Sequence, residues 1–212
     1  MTATPKFIQL GNQAYADTYE KMRSLVQADS FDDEIWLLEH DAVFTLGTAA
    51  DPSHVLNPGN IPIIQTDRGG EVTYHGPGQL VAYPIFKWDL EGEVSVAAII
   101  SILEEWIIKA LAACGIKGVR DERMQGVWVD DKKISSMGLS FLRWTSRHGF
   151  TINYDTPKGR VEMLAGCGLD NDTTTSLAQL GHTIERDQLL VALLQTMDES
   201  ILRSQNKEKS SL

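Results

Sequence analysis

At 212 residues with 42% apolar side chains, the chain is long enough for one domain of ordinary to large size with a substantial core. Its net charge of −10 argues against nucleic acid as a generic partner, because phosphate binding needs a basic face. No apolar run approaches membrane-spanning length, and the N-terminus lacks the basic-then-apolar pattern of a signal peptide, so a reducing cytoplasm is the default expectation.

The charge is unevenly placed. Residues 109–147 carry eight basic and four acidic side chains, a local +4 against −14 for the rest. Such a patch either docks an acidic macromolecule or is a solvated face. The two cysteines, Cys114 and Cys167, form no Cys-x-x-Cys, and the five histidines show no metal-ligand spacing. No metal site is therefore expected.

In chain order, Tyr15, Tyr19, Met22 and Val26 recur at helical spacing and predict an amphipathic helix over 14–28. Residues 34–39 and 43–47 read as strands, and 51–60 as a loop punctuated by Pro52, Pro58 and Gly59. Residues 61–64 form a short apolar run. The stretch 68–79 follows, with four glycines in twelve residues. It reads as a loop before the buried strand 80–85, and suits either a hairpin turn or a backbone wall around a ligand.

Beyond an acidic connector at 89–93, Ser95 is a good N-cap for a helix reaching Cys114, with Gly115 as its C-cap. Its apolar stripe runs through Val96, Ile99, Ile100, Leu103, Ile107, Ala110, Leu111 and Cys114, which makes Cys114 a small core residue. Residues 126–129 and 133–139 predict a hairpin turning at Asp130-Asp131. Another strand is expected at 150–154 and a short apolar segment at 161–164. A last helix is expected over 187–203, with Leu190, Leu194, Met197 and Ile201 inward. The polar tail 205–212 is expected to be disordered. Strands and helices mix without βαβ alternation, which predicts an α+β fold, a mixed or antiparallel sheet with flanking helices on one side.

Cys167 lies between Gly166 and Gly168, off any apolar stripe. It suits either a tight structural turn or a nucleophile, and the second needs a positive neighbour to lower its pKa. Lys133 opens the second hairpin strand. Period two places it on one face with Ser135 and Met137, while Lys132 points away. Lys133 is either a solvated edge residue or, if buried beside a thiol, a general acid/base. Asp170 and Asp172 suggest a calcium loop, but Thr175 and Gly181 occupy its glycine and glutamate positions, so Asx turns and a cap explain the run better. Gly76-Pro77-Gly78 is neither a dinucleotide fingerprint nor a phosphate loop.

Arg68-Gly69-Gly70 with Thr73-Tyr74-His75-Gly76-Pro77-Gly78-Gln79 closely resembles the signature of lipoyl(octanoyl) transferases. So do Glu39-His40, 43–47, 133–138, His148-Gly149 and Cys167-Gly168, in the right order from about residue 8 to 200. The resemblance implies one catalytic domain over 1–204 with the fold of biotin and lipoate protein ligases. It implies octanoyl transfer from acyl carrier protein to a lysine of lipoyl domains, those of 2-oxoacid dehydrogenases and the glycine cleavage H protein, in the first step of lipoate synthesis. It implies a Cys167 acyl thioester with Lys133 as the pKa-lowering partner, no cofactor, and a monomer. Substrate contacts match Arg68, Gly69, Gly70, Glu71, Val72, Thr73, Tyr74 and His75. They continue through Ser136, Met137, Gly138, Gly149, Phe150 and Thr151. Tyr74, His75, Met137 and Phe150 are the expected acyl tunnel, and Arg143 and Arg147 the expected carrier dock. Gly166, Asp41 and Thr151 depart from the family's usual proline, proline and alanine. The alternatives are an ATP-dependent lipoate or biotin ligase and a non-catalytic lipoyl-domain binding module.

Overall fold

A computed structural model describes residues 5–28, 32–55, 58–90, 92–162 and 173–201. The elements are β1 (Lys6–Gln13), α1 (Tyr15–Gln27), β2 (Glu34–His40), β3 (Val43–Leu46), β4 (Ile63–Gln65), β5 (Val72–His75), β6 (Gln79–Ile85), α2 (Val96–Ala113), β7 (Val127–Val129), β8 (Lys132–Leu142), β9 (Thr145–Asn153) and α3 (Arg186–Ser200). They build a six-stranded sheet in the order β1-β2-β6-β9-β8-β7 and a three-stranded sheet, β4-β3-β5. In the larger sheet β1 and β2 are parallel and the remaining pairs antiparallel.

Strand alternation sorts the side chains into two cores. Ile35 and Leu37 of β2, with Leu80 and Ala82 of β6, face α2 and α3. Trp36 and Leu38, with Val81, Tyr83 and Ile85, face Met22 and Val26 of α1. Both strands are apolar on both faces because both faces are covered. This corrects the expectation of helices on one side. It also corrects the absence of βαβ alternation, since β1, α1 and β2 form a parallel βαβ unit. The unit is hidden in sequence because β1 is an edge strand, Lys-Phe-Ile-Gln-Leu-Gly-Asn-Gln, without a fully buried side chain.

Helix α2 begins where Ser95 accepts from Ala98 N, and Gly115 turns its end at φ +76°. Val96 is exposed, whereas Trp106, absent from the expected stripe, is wholly buried. Its Nε1 donates to Leu193 O at 2.9 Å and joins α2 to α3. In α3 the deepest side chains are Leu189 and Leu193 rather than Leu194. The hairpin turn at Asp130-Asp131 takes φ of +48° and +65° as expected. A second tight turn at Arg143-Trp144 (φ +49° and +65°) joins β8 to β9, and both strands are longer than their apolar cores suggest. The glycine-rich stretch is likewise not all loop, because Val72–His75 is β5, paired with β3.

Candidate active site

The site lies where the large sheet opens. Strand β6 pairs with β9 from Gln79↔Asn153 to Ala82↔Phe150, and the ladder resumes where Ser146 N donates to Phe86 O. Between these points Pro84 has no N–H to give, and His148 adopts φ +61°. A Cβ at Gly149 would meet Ala82 O at 2.1 Å and Pro84 Cδ at 2.6 Å, so only glycine lets β9 approach β6 here. On its other side Gly149 pairs with Gly138 of β8. A Cβ at Gly138 would come within 3.0 Å of Arg68 Cδ and Gly69 O. The Arg68-Gly69-Gly70 turn therefore lies across the bare backbone of β8, where Gly69 N donates to Leu139 O at 2.9 Å.

This opening is a pocket. Of the expected contacts, Arg68, Thr73, His75, Ser136, Met137, Gly138, Gly149, Phe150 and Thr151 line it. Gly69, Gly70, Glu71, Val72 and Tyr74 do not. Alternation in β5 explains the split: Thr73 and His75 point in, while Tyr74 packs on Phe44 and Val161, with Val72 beside them, in a separate cluster. Tyr74 is thus a core residue rather than a tunnel wall, and Glu71 reaches out to His54, 3.6 Å from its Nδ1. Sequence reading missed Tyr15, Tyr83 and His148 as lining residues. The signal for His148 lay beside Gly149 in the motif; Tyr15 and Tyr83 read only as apolar positions.

The histidine and tyrosine groups in and behind the walls are held neutral. Gln79 Nε2 donates to Tyr74 O and Asn153 Oδ1, so its oxygen accepts from His75 Nδ1 at 2.8 Å. His40 Nδ1 donates to Gln13 O at 3.0 Å, leaving Nε2 to accept from Tyr83 OH at 2.8 Å. His148 Nε2 donates to Asp67 Oδ1 at 2.9 Å. Burial lowers the pKa of all three rings, His40 to about 4 and His75 well below its ordinary value. Burial also raises Tyr15 and Tyr83. The cation in the wall is Arg68, whose Nη2 donates to Thr45 O at 2.7 Å and whose Nε donates to Thr45 Oγ1 at 3.2 Å. A pocket walled by neutral rings, glycine backbone, Met137 and Phe150 suits an apolar chain.

Lys133 is buried, 6% exposed. Its N–H donates to Thr173 O and its carbonyl accepts from Thr175 N, both at 2.9 Å. Thr175 Oγ1 donates to Glu162 Oε1 at 3.2 Å. The described chain after Cys167 therefore lies against Lys133, and Glu162, before it, is bonded to that chain at Thr175. Cys167 itself, with Gly166, Gly168, Asp170 and Asp172, lies outside the described residues, as do residues 163–164 and the tail 205–212. Cys114 is half-buried at the end of α2, and burial pushes its thiol up. Arg143 is exposed, but Arg147 pairs with Asp67 and is mostly buried. Thr151 Oγ1 accepts from Ser136 N at 3.3 Å, so the departure at 151 adds a hydroxyl inside the pocket. Among the described residues no group of three acidic, histidine or cysteine side chains could hold a metal ion, and no helix is long and apolar enough to cross a membrane.

Sheet order and flanking helices give the chain the fold of the lipoate and biotin protein ligase catalytic domains. A bi-partite lipoate protein ligase from Thermoplasma acidophilum superposes with a TM-score of 0.71 at 13% identity, covering 92% of this chain and 83% of that one. The biotin protein ligase of Aquifex aeolicus in complex with biotin and ATP gives 0.60 at 16%, covering 93% and 70%. The chain belongs to the lipoyl protein ligase A/B catalytic domain family, whose profile matches residues 15–198. Its curated relatives include the octanoyltransferase of Halorhodospira halophila, 40% identical over 189 residues, which are 87% of this chain and 85% of that protein. The octanoyltransferase of a Marinomonas species is 46% identical over 165 residues, 76% and 77% of the two chains.

Proposed function

We propose that this enzyme, an octanoyltransferase like its relatives, works through an acyl thioester on Cys167 with Lys133 as its proton partner. The observation that supports this most is the burial of Lys133 in β8 with its backbone bonded to Thr173 and Thr175, just beyond Cys167 in the sequence. An ammonium held there stabilises a thiolate, which is the nucleophilic form. The thiolate adds to the donor carbonyl. Backbone N–H groups beside Gly168 or in the glycine-rich segment hold the oxyanion. The carrier thiolate leaves and takes the proton of Lys133. The neutral Lys133 amine then accepts a proton from the incoming lysine as it attacks, the amide forms, and the thiolate and ammonium are restored. The alkyl tail fills the pocket between Met137, Phe150 and Thr151.

The donor in this reading is octanoyl-acyl carrier protein. The acceptors are lipoyl domains of 2-oxoacid dehydrogenase complexes and the H protein of glycine cleavage. The enzyme works in the cytoplasm as a monomer, its catalytic domain spanning 1–204. The test is transfer without nucleotide. Purified enzyme, octanoyl-carrier and a lipoyl domain, with no ATP, should add one octanoyl group to the acceptor. A requirement for ATP would point to a ligase instead.

A further inference from the structure

We propose that Glu104 is a positioning residue for Lys133, acting through the loop 119–126; the inference rests on the assignment of Lys133 as partner of the Cys167 thiolate. Glu104 sits on α2 among Leu103, Trp106 and Ile107, all wholly buried, and its own side chain is 8% exposed. A carboxylate in such a place is costly unless donors meet both oxygens. They do. Gly126 N donates to Oε1 at 2.9 Å, and Arg120 Nε donates to Oε2 at 3.0 Å. Arg120 also donates to Ser101 O at 2.9 Å. Both donors belong to the loop that follows α2, so one carboxylate ties that loop to the helix near each of its ends.

The loop in turn walls Lys133. Gly126, at φ +130°, passes so close that a Cβ there would lie 2.7 Å from Lys133 Cε and 2.2 Å from Ser135 O. Met124 Sδ lies 2.8 Å from Lys133 Nζ. Both the stem and the head of the lysine therefore rest on backbone and side chain that Glu104 holds in place. A lysine stem is flexible, so its wall decides where the ammonium sits. The ladder gives a further reason for a separate tether, because the β7–β8 register shifts between Val127 and Trp128, right beside Gly126.

The experiment compares Glu104→Met, which keeps the packed volume and removes both acceptors, with Glu104→Gln, which retains an acceptor for Gly126 N–H. In each variant the pH dependence of iodoacetamide alkylation at Cys167 is followed by peptide mass, beside Lys133→Ala. The proposal expects Glu104→Met to raise the alkylation midpoint toward that of Lys133→Ala. Its kcat with a small octanoyl thioester should fall roughly tenfold, with KM within about twofold of wild type. Glu104→Gln should recover most of both. A Glu104→Met protein with the wild-type midpoint and kcat overturns the proposal, even if its melting temperature is lower. Should Glu104→Met not fold, Arg120→Met replaces it, freeing one carboxylate oxygen from a half-exposed position. It should move the midpoint the same way by less, and an unmoved midpoint overturns the proposal. If Lys133→Ala itself leaves the midpoint unchanged, the thiolate partnership fails. If Lys133→Ala shifts it and Glu104→Met does not, only the role of Glu104 fails.

Discussion

His148 donates its Nε2 proton to Asp67 Oδ1 at 2.9 Å while its ring is buried in the wall of the pocket. His148, His40 and His75 are all held below their ordinary value of 6.5, with burial the leading cause in each. Below pH 6.5 the unfolded chain therefore binds protons that the folded chain refuses, and stability falls as the pH drops through that window. For His40 the window closes near pH 4. Each ring that stays neutral below its ordinary value contributes up to about 1.4 kcal/mol per pH unit. Asp67, held low first by the His148 hydrogen bond, keeps its contribution above its ordinary 3.8 and loses it only at lower pH. Urea melts from pH 8 to pH 5 should hold their midpoint down to about the ordinary histidine value of 6.5 and fall below it, and a profile flat throughout would contradict the neutral assignment.

The sheet opening makes a second prediction. Gly149→Ala places a methyl 2.1 Å from Ala82 O, a backbone atom that cannot swing aside. The expected cost is about 1–3 kcal/mol, the usual range for overpacking. Gly92, at φ +91° with nothing within 4 Å, provides the comparison. Gly92→Ala should cost less, only the strain of the left-handed backbone. Thermal melts of the two variants decide it.

Much of this was legible in the sequence, and the failures have physical causes. The motif Arg68-Gly69-Gly70, the hairpin at Asp130-Asp131 and the Ser95 cap all depend on local chemistry, and local chemistry is written in neighbouring residues. Strand β1 was not legible because an edge strand pairs by backbone and needs no buried stripe. The Arg143-Trp144 turn was missed because neither residue is the glycine or asparagine that usually marks positive φ. The pocket roles of Tyr15 and Tyr83 arise from elements that meet only in three dimensions. Tyr74 was misplaced because a motif gives residue identity without saying which face of a strand each residue takes.

Chain-length selection follows from an apolar pocket. Each methylene buried is worth about 0.8 kcal/mol, so a hexanoyl thioester should lose roughly fifteenfold in kcat/KM against octanoyl. Thr151→Ala removes a hydroxyl and a methyl from the wall. It should shift the optimum toward longer chains in a series from six to twelve carbons. An unchanged series would show that the tail does not reach Thr151.

The expected carrier dock narrows to Arg143. Arg147 is engaged by Asp67, so reversing it breaks the wall network as well as any surface charge. Arg143→Glu should raise KM for the octanoyl carrier protein and leave KM for a small thioester unchanged. Equal effects on both substrates would rule out docking at this turn.

The most direct measurement is the intact mass of the enzyme after incubation with an octanoyl thioester and no acceptor. One octanoyl adduct should appear, map to Cys167, and vanish in Cys167→Ser. An adduct on Cys114, whose half-buried thiol is pushed up by burial, or a Cys167→Ser protein that still transfers the group, would contradict the account.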